Sequence, residues 1–492
     1  MRLSFVPKEP DKAYIADRLW LPRGGIRVEP VKRALEFTVN SQGGQTKMQM
    51  WDESSNHILC PREFLPSSNY RHYRFPFVDL RPQFQRLHFE DKIEPRNEEQ
   101  QRAWRALAAN DNGILNLGCG KGKTVLALKK IAQRGMPTLV VVPDGGILEQ
   151  WKEAVLGNKV TGRPPGLEFD GELGLIQGPV FNWAKPLTLA LVTTLWMRIQ
   201  EGAIPEEMFR YFGLIVYDEV HGIGAPKFSL TATPFYGDRI GLTATVMRED
   251  GLDPIYRYHI GEPFYTDLVQ DLVPRIYFQK TPVVIDYEKA KLDGQQTNVS
   301  VLRTILGRDY SANVYRYWAI KDALDAGRKI LCLSHSKDQL RLFHALFPDS
   351  ALIIAETERS ERMGILRDSQ ICFAISRLGS VGVDDPSLDT LFWLTPFRSK
   401  NALQQSMGRI QRLLPDKKTP VMNVFEDWFT PTIKKMCAKL KSSLREWGYE
   451  YENLKPSPYP KDFPPEVREL YVRAFEQLPP RSRDDGEEEG GD

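Results

Sequence analysis

Apolar runs of four to six residues recur along this chain in two series, and each run is hydrophobic at nearly every position rather than at alternate ones. The first series comprises residues 113–117, 138–142, 187–192, 213–217 and 240–243; the second comprises 329–333, 351–354, 371–375 and 390–394. Unalternated runs predict strands buried on both faces, and the helical stretches between them predict a parallel sheet covered on each side. The fold class expected is therefore α/β, with two tandem parallel-sheet lobes. Residues 1–93 differ: short β-like runs at 35–39 and 46–51 are punctuated by Gly and Pro, which predicts a small β-rich or α+β accessory domain. The expected domains are 1–93, a first lobe over 94–262, a connector over 263–300 and a second lobe over 301–452. A C-terminal extension, 453–492, is Pro-rich and peripheral and ends in an acidic disordered tail.

Composition narrows the class without deciding the function. A chain of 492 residues with 41% hydrophobic and 26% charged content is an ordinary globular protein with several cores. No apolar run approaches the roughly 20 residues of a membrane span, and Met1 to Pro7 lacks the apolar core of a signal peptide. Five cysteines, at 60, 119, 332, 372 and 437, show no metal-ligand spacing, so an intracellular, cytoplasmic setting is expected. Net charge is +2, but the tail from Asp484 to Asp492 contributes −6, leaving +8 on the remainder. A mildly basic body is compatible with phosphate partners and diagnostic of none. The tail reads as a solubilising end or a mimic of nucleic acid. The Arg and aromatic residues of Tyr70 to Phe75 read as core, with base stacking as the alternative.

The chemistry starts at Gly118-Cys119-Gly120-Lys121-Gly122-Lys123-Thr124, which follows the apolar run 113–117 and precedes a helical stretch beginning at Val125. Strand, glycine-rich loop and helix form the context of a phosphate cradle: backbone N–H groups turn inward at a helix N-terminus that favours anions. Lys123 supplies charge to the phosphates, and the Thr124 hydroxyl suits Mg²⁺. Leu117 stands where the usual pattern has its first Gly. Asp218 and Glu219 end the apolar run 213–217, at the edge of a parallel sheet where ligands bind. There Asp218 suits Mg²⁺, and Glu219 suits orienting or deprotonating a water. Gln405, Arg409 and Arg412 lie in a stretch read as helical, with the two arginines three apart on one face.

In this order the residues resemble a superfamily 2 DNA helicase of the group of XPB and the phage fork-remodelling helicases related to UvsW. Arg96 and Gln100 resemble the adenine-sensing element, Pro143 with Leu148 to Trp151 motif Ia, and Thr193-Thr194 the motif that follows it. Asp218 to His221 resembles motif II, and Leu242 to Thr245 motif III, whereas Thr231 to Pro234 is a decoy without a preceding strand. Arg248-Glu249-Asp250 is similar to the Arg-Glu-Asp element of XPB. Ser334-His335 resembles motif IV, Gly379 to Asp384 motif V, and Gln405 to Arg412 fully matches motif VI, QxxGRxxR.

The resemblance implies two RecA-like lobes with ATP and Mg²⁺ between them. Gln100, Gly118 to Thr124, Gly382 and Asp384 would bind nucleotide, with Thr124 and Asp218 on the metal. Lys123, Asp218, Glu219, Gln405, Arg409 and Arg412 would be catalytic. His221, Thr243, Thr245, Arg248, Glu249 and Asp250 would couple hydrolysis to nucleic acid held by Pro143, Thr193, Thr194, Ser334 and His335. The expected partner is branched, duplex or single-stranded DNA, bound largely without sequence preference, beside replication or recombination proteins and no membrane. RNA-dependent ATPase, partner-dependent motor subunit and nucleic-acid clamp remain as alternatives, and a phage origin, with the host cytoplasm as its setting, is suggested by family likeness.

Overall fold

A computed structural model describes residues 9–479 apart from 42–43, 71–72, 74, 119, 159–161, 163, 245–250, 268–271, 287–289, 293–295, 377–384, 413 and 415. The chain forms two compact units, Met1–Val269 and Gln270–Asp492.

The first unit is built on an eight-stranded sheet. Its order is Val180–Asn182, Leu173–Gln177, Leu187–Leu191, Thr138–Val142, Leu214–Asp218, Asp238–Thr243, Gly113–Leu117 and Pro263–Asp267. Every neighbouring pair is parallel except the first. Successive side chains of a strand point to opposite faces, so the apolar runs feed two cores. Leu115, Val140, Leu189, Val216 and Leu242 pack on one face, and Ile114, Leu139, Val141, Ala190, Ile215 and Tyr217 on the other. All five predicted strands of this lobe are present within two residues of expectation. The edge strands were not foreseen, because their mixed polar sequence gives no long apolar run.

Residues 1–93 are not a free-standing module but part of this first unit. Their five-stranded sheet runs Asp52–Glu53, His57–Cys60, Leu19–Pro22, Ala13–Ile15 and Phe77–Asp79. The two β-like runs seen in the sequence instead pair as a separate hairpin, Glu36–Ser41 with Gly44–Gln49. Tyr70, Tyr73 and Phe75 pack against the module's core, stacked at 6.1 and 6.0 Å, which favours the core reading. Two buried arginines join the module to the lobe. Arg62 donates to the Tyr236 and Gly237 carbonyls at 2.7 and 2.6 Å, and Arg239 donates to the Asp17 carbonyl at 2.9 Å.

The second unit carries seven parallel strands ordered Ala351–Ile353, Ile371–Ile375, Ile330–Ser334, Thr390–Trp393, Val421–Asp427, Arg275–Thr281 and Glu452–Leu454. The expected connector, 263–300, is largely absorbed: Pro263–Asp267 closes one sheet and Arg275–Thr281 enters the other. Pro274 and Pro282 flank the latter strand, so neither removes one of its hydrogen bonds. The extension read as peripheral forms the helix Pro465–Glu476, and Phe463, Val467 and Tyr471 are buried in the unit's core. No helix among the described residues is long and apolar enough to cross a membrane.

Candidate nucleotide site

Parallel pairing puts the carboxyl ends of all strands at one edge of a sheet. In the first unit that edge therefore collects the phosphate loop after Leu117, Pro143 after Val142, Thr193 after Leu191, Asp218, and Thr243. Register makes Asp218 the partner of Leu242 on the next strand, so Asp218 and Thr243 sit side by side.

The phosphate loop is held from below. The Gly118 N–H donates to the Asp267 carbonyl at 3.0 Å, the Arg96 guanidinium to the Gly120 carbonyl at 3.0 Å, and Gln100 Nε2 to the Lys121 carbonyl at 2.9 Å. Gln100 Oε1 accepts the Arg96 N–H at 3.0 Å. Both ends of this buried amide are thus used on protein backbone rather than turned to a base. Gly120 and Gly122 adopt φ of 76° and 84°, and a Cβ on Gly122 would lie 2.4 Å from Gln100 Nε2. Only glycine meets both demands. Gly122 caps the helix Lys123–Arg134, whose first turn carries Thr124.

The two lysines of the loop part ways. Lys123 Nζ lies over the loop, donating to the Leu117 carbonyl at 3.0 Å, next to the space a phosphate would take. The Lys121 side chain, expected to bind nucleotide, turns inward instead. It is 4% exposed, and its ammonium pairs with Glu99 at 3.1 Å and Asp267 at 3.2 Å. Neither Glu99 nor Asp267 was singled out from sequence, since isolated acids far apart in the chain carry no pattern. Cys119 lies outside the described residues.

At the end of strand Leu214–Asp218, Asp218 Oδ1 accepts the Glu219 N–H at 2.9 Å and Oδ2 accepts Trp151 Nε1–H at 2.8 Å. Burial and the adjacent Glu219 charge push Asp218 up to about 6. Burial pushes Glu219 up as well, but the hydrogen bond from His221 and the Lys123 charge outweigh it and hold Glu219 below the usual carboxylate range. Environments that separate two adjacent carboxyls divide their roles. Glu219 has φ of 47°, a left-handed conformation costly for a residue with a side chain and common at working sites. His221 Nδ1 lies 3.3 Å from Glu219 Oε2 and 3.2 Å from Thr243 Oγ1, bridging two of the sequence motifs.

The residues assigned to nucleic acid are placed unequally. Thr193 is exposed on the helix Val192–Gln200, Thr194 Oγ1 accepts the Gly178 N–H at 3.1 Å, and Pro143 is half-buried. In the second unit Ser334 is fully buried, its hydroxyl donating to Gln339 Oε1 at 2.8 Å, so it supports the turn rather than facing a ligand. His335 Nδ1 lies 2.9 Å from Thr395 Oγ1. Gln405 and Arg409 lie on the helix Lys400–Ile410, but that helix ends before Arg412, which stands in the following turn. Arg412 thus lies two residues beyond the helix end, and the expected shared helical face does not extend to it. Thr245, Arg248, Glu249, Asp250, Gly382 and Asp384 lie outside the described residues.

With this geometry in view, residues 92–248 match the family described as type III restriction enzyme, res subunit. Among curated proteins, a 3'-5' DNA translocase, XPB2, of Sulfurisphaera tokodaii is 32% identical over 211 residues, covering 42% of this chain and 44% of that protein. Over these stretches the chain is similar to helicases and translocases of the XPB kind. A protein of Acanthamoeba polyphaga mimivirus provisionally named an ATP-dependent RNA helicase, L396, is 24% identical over 358 residues, covering 69% of this chain and 65% of that one. This chain thus spans less than two thirds of either relative's length. The fold of yeast Dbp5 in a complex with RNA and ADP BeF3 superposes with a TM-score of 0.50 at 12% identity, over 77% of this chain and 93% of that one. The likeness is one of fold: parallel-sheet lobes of the RecA-like kind. Trp151 was read from sequence as part of motif Ia, with no contact to Asp218 foreseen for it.

Proposed function

We propose that this protein is an ATP hydrolase that translocates on DNA and remodels or unwinds branched or duplex substrates. The observation that carries the reading is the single sheet edge that brings Lys123, Thr124, Asp218, Glu219, His221 and Thr243 together. The glycine loop would take the β- and γ-phosphates on its N–H groups, with the Lys123 ammonium leaving the Leu117 carbonyl to meet them. The donor set suits Mg²⁺: the Thr124 hydroxyl and Asp218 are hard oxygen ligands. When bound, the ion neutralises phosphate charge. Glu219, held ionised, orients and deprotonates water, and His221 transmits its state to Thr243. Arg409 and Arg412 of the second unit, with Gln405, would stabilise the charge of the transition state.

DNA is preferred because the XPB2 relative is named a DNA translocase and because the chain carries Arg248-Glu249-Asp250. Pro143, Thr193 and the turn at His335 would hold the phosphodiester backbone, giving salt-dependent binding with little sequence preference. An RNA-dependent ATPase is the second reading, favoured by the name of the mimiviral relative. Steady-state hydrolysis with duplex DNA, a four-way junction, single-stranded DNA and RNA separates the two: DNA gives the larger stimulation under the proposal, RNA under the alternative.

A further inference from the structure

Asp218 is held at both oxygens by two different elements. Its own strand end supplies the Glu219 N–H, and the helix Gly145–Leu156 supplies the Trp151 indole N–H at 2.8 Å. The Trp151 ring has no exposed surface, so its sole polar atom is spent on this carboxylate. The helix that carries it is fixed at its start by Asp144, whose side chain accepts the Gly146 and Ile147 N–H groups at 2.7 and 3.1 Å, immediately after Pro143. We propose that Trp151 is the positioning residue for Asp218: it aims the carboxylate at the nucleotide's magnesium and makes that aim depend on the helix beginning at the Pro143 turn.

An indole suits the task. It is a neutral donor without acceptor capacity, so it fixes one lone pair of Asp218 without cancelling the charge the cation needs. A lysine or arginine there would compete with the ion, and a phenylalanine would leave a buried oxygen without its partner. Partners behind a metal ligand set its orientation, and their loss lowers metal affinity by about 10- to 100-fold. Because Pro143 is assigned to nucleic acid, the same helix carries a DNA-contacting end and the bond that aims Asp218. This inference rests on the nucleotide-hydrolysing reading above.

The test measures ADP affinity of the full chain by calorimetry with and without Mg²⁺, for wild type, Trp151→Phe and Val155→Ala. Val155 is equally buried on the same helix, so its truncation reports a cavity alone. Wild type and Val155→Ala should show the same Mg²⁺-dependent gain in affinity, whereas Trp151→Phe should lose about tenfold of it while its Mg²⁺-free affinity stays unchanged. An undiminished gain in Trp151→Phe overturns the proposal. Should that variant not fold, the Trp151 indole N–H resonance in labelled wild type, assigned through Asp218→Asn, takes its place. It should move on adding Mg²⁺ with ADP but not ADP alone, and an unmoved signal overturns the proposal. A wild type that binds no ADP defeats the hydrolase reading itself, a result distinct from either of these.

Discussion

Glu219 and His259 show how residues of one lobe are tuned in opposite ways by burial. Glu219 is kept ionised by the His221 hydrogen bond and the Lys123 charge. His259 has no such help: burial, with the Arg239 charge behind it, lowers it to about 3. A His whose folded value lies below its unfolded value of about 6.5 is protonated first in the unfolded chain. It therefore withdraws stability as pH falls from about 6.5 toward 3, by about 2 kcal/mol between pH 7 and 5. Urea titrations of wild type and His259→Phe should show that difference in slope over this window, the variant being flatter. At this scale the sequence singled out residues where a pattern of neighbours existed, as for Lys123 and Asp218. It assigned Lys121 to the nucleotide, because nothing local says that Glu99 and Asp267 will be brought to its ammonium.

Strand and loop together make the site. The phosphate loop differs from the usual pattern at Leu117, yet its backbone is secured by Asp267, Arg96 and Gln100. Gly122→Ala should therefore fail twice, through its positive φ and through the contact with Gln100 Nε2. We expect at least a tenfold loss of ADP affinity and a loss of roughly 1–3 kcal/mol of stability; Gln100→Ala in the same chain should restore only part of either, since the backbone strain persists. Nucleotide titration and thermal melts of wild type and the two variants check this. Buried strands were readable from their unbroken apolar runs, whereas the edge strands Val180–Asn182 and Pro263–Asp267 were not, since their short, mixed sequences give no long apolar run. The arginine helix was read two residues too far, because the QxxGRxxR spacing says nothing of the helix end at Ile410.

At the scale of the whole molecule, the first unit contains its accessory module, its sheet and the entire sheet edge that carries the glycine loop, Asp218 and Thr243. Residues 1–93 looked separable in sequence because their β pattern differs, but Arg62 and Arg239 are invisible as joints until the fold brings backbone carbonyls to them. A fragment of residues 1–269 should therefore fold and bind ADP within a few-fold of the full chain. Its hydrolysis should fall by about a thousandfold or more for want of Arg409 and Arg412. Calorimetry and turnover on that fragment test both halves of the statement. The account as a whole stands on coupled hydrolysis: ATP turnover on the first unit's edge, driven by DNA. The most direct measurement is steady-state ATP hydrolysis by wild type and Glu219→Gln with and without duplex or branched DNA. The predicted result is DNA-stimulated turnover in wild type and a loss of at least about a hundredfold in Glu219→Gln, with ATP binding retained. Hydrolysis that ignores DNA, or that survives in Glu219→Gln, would contradict it.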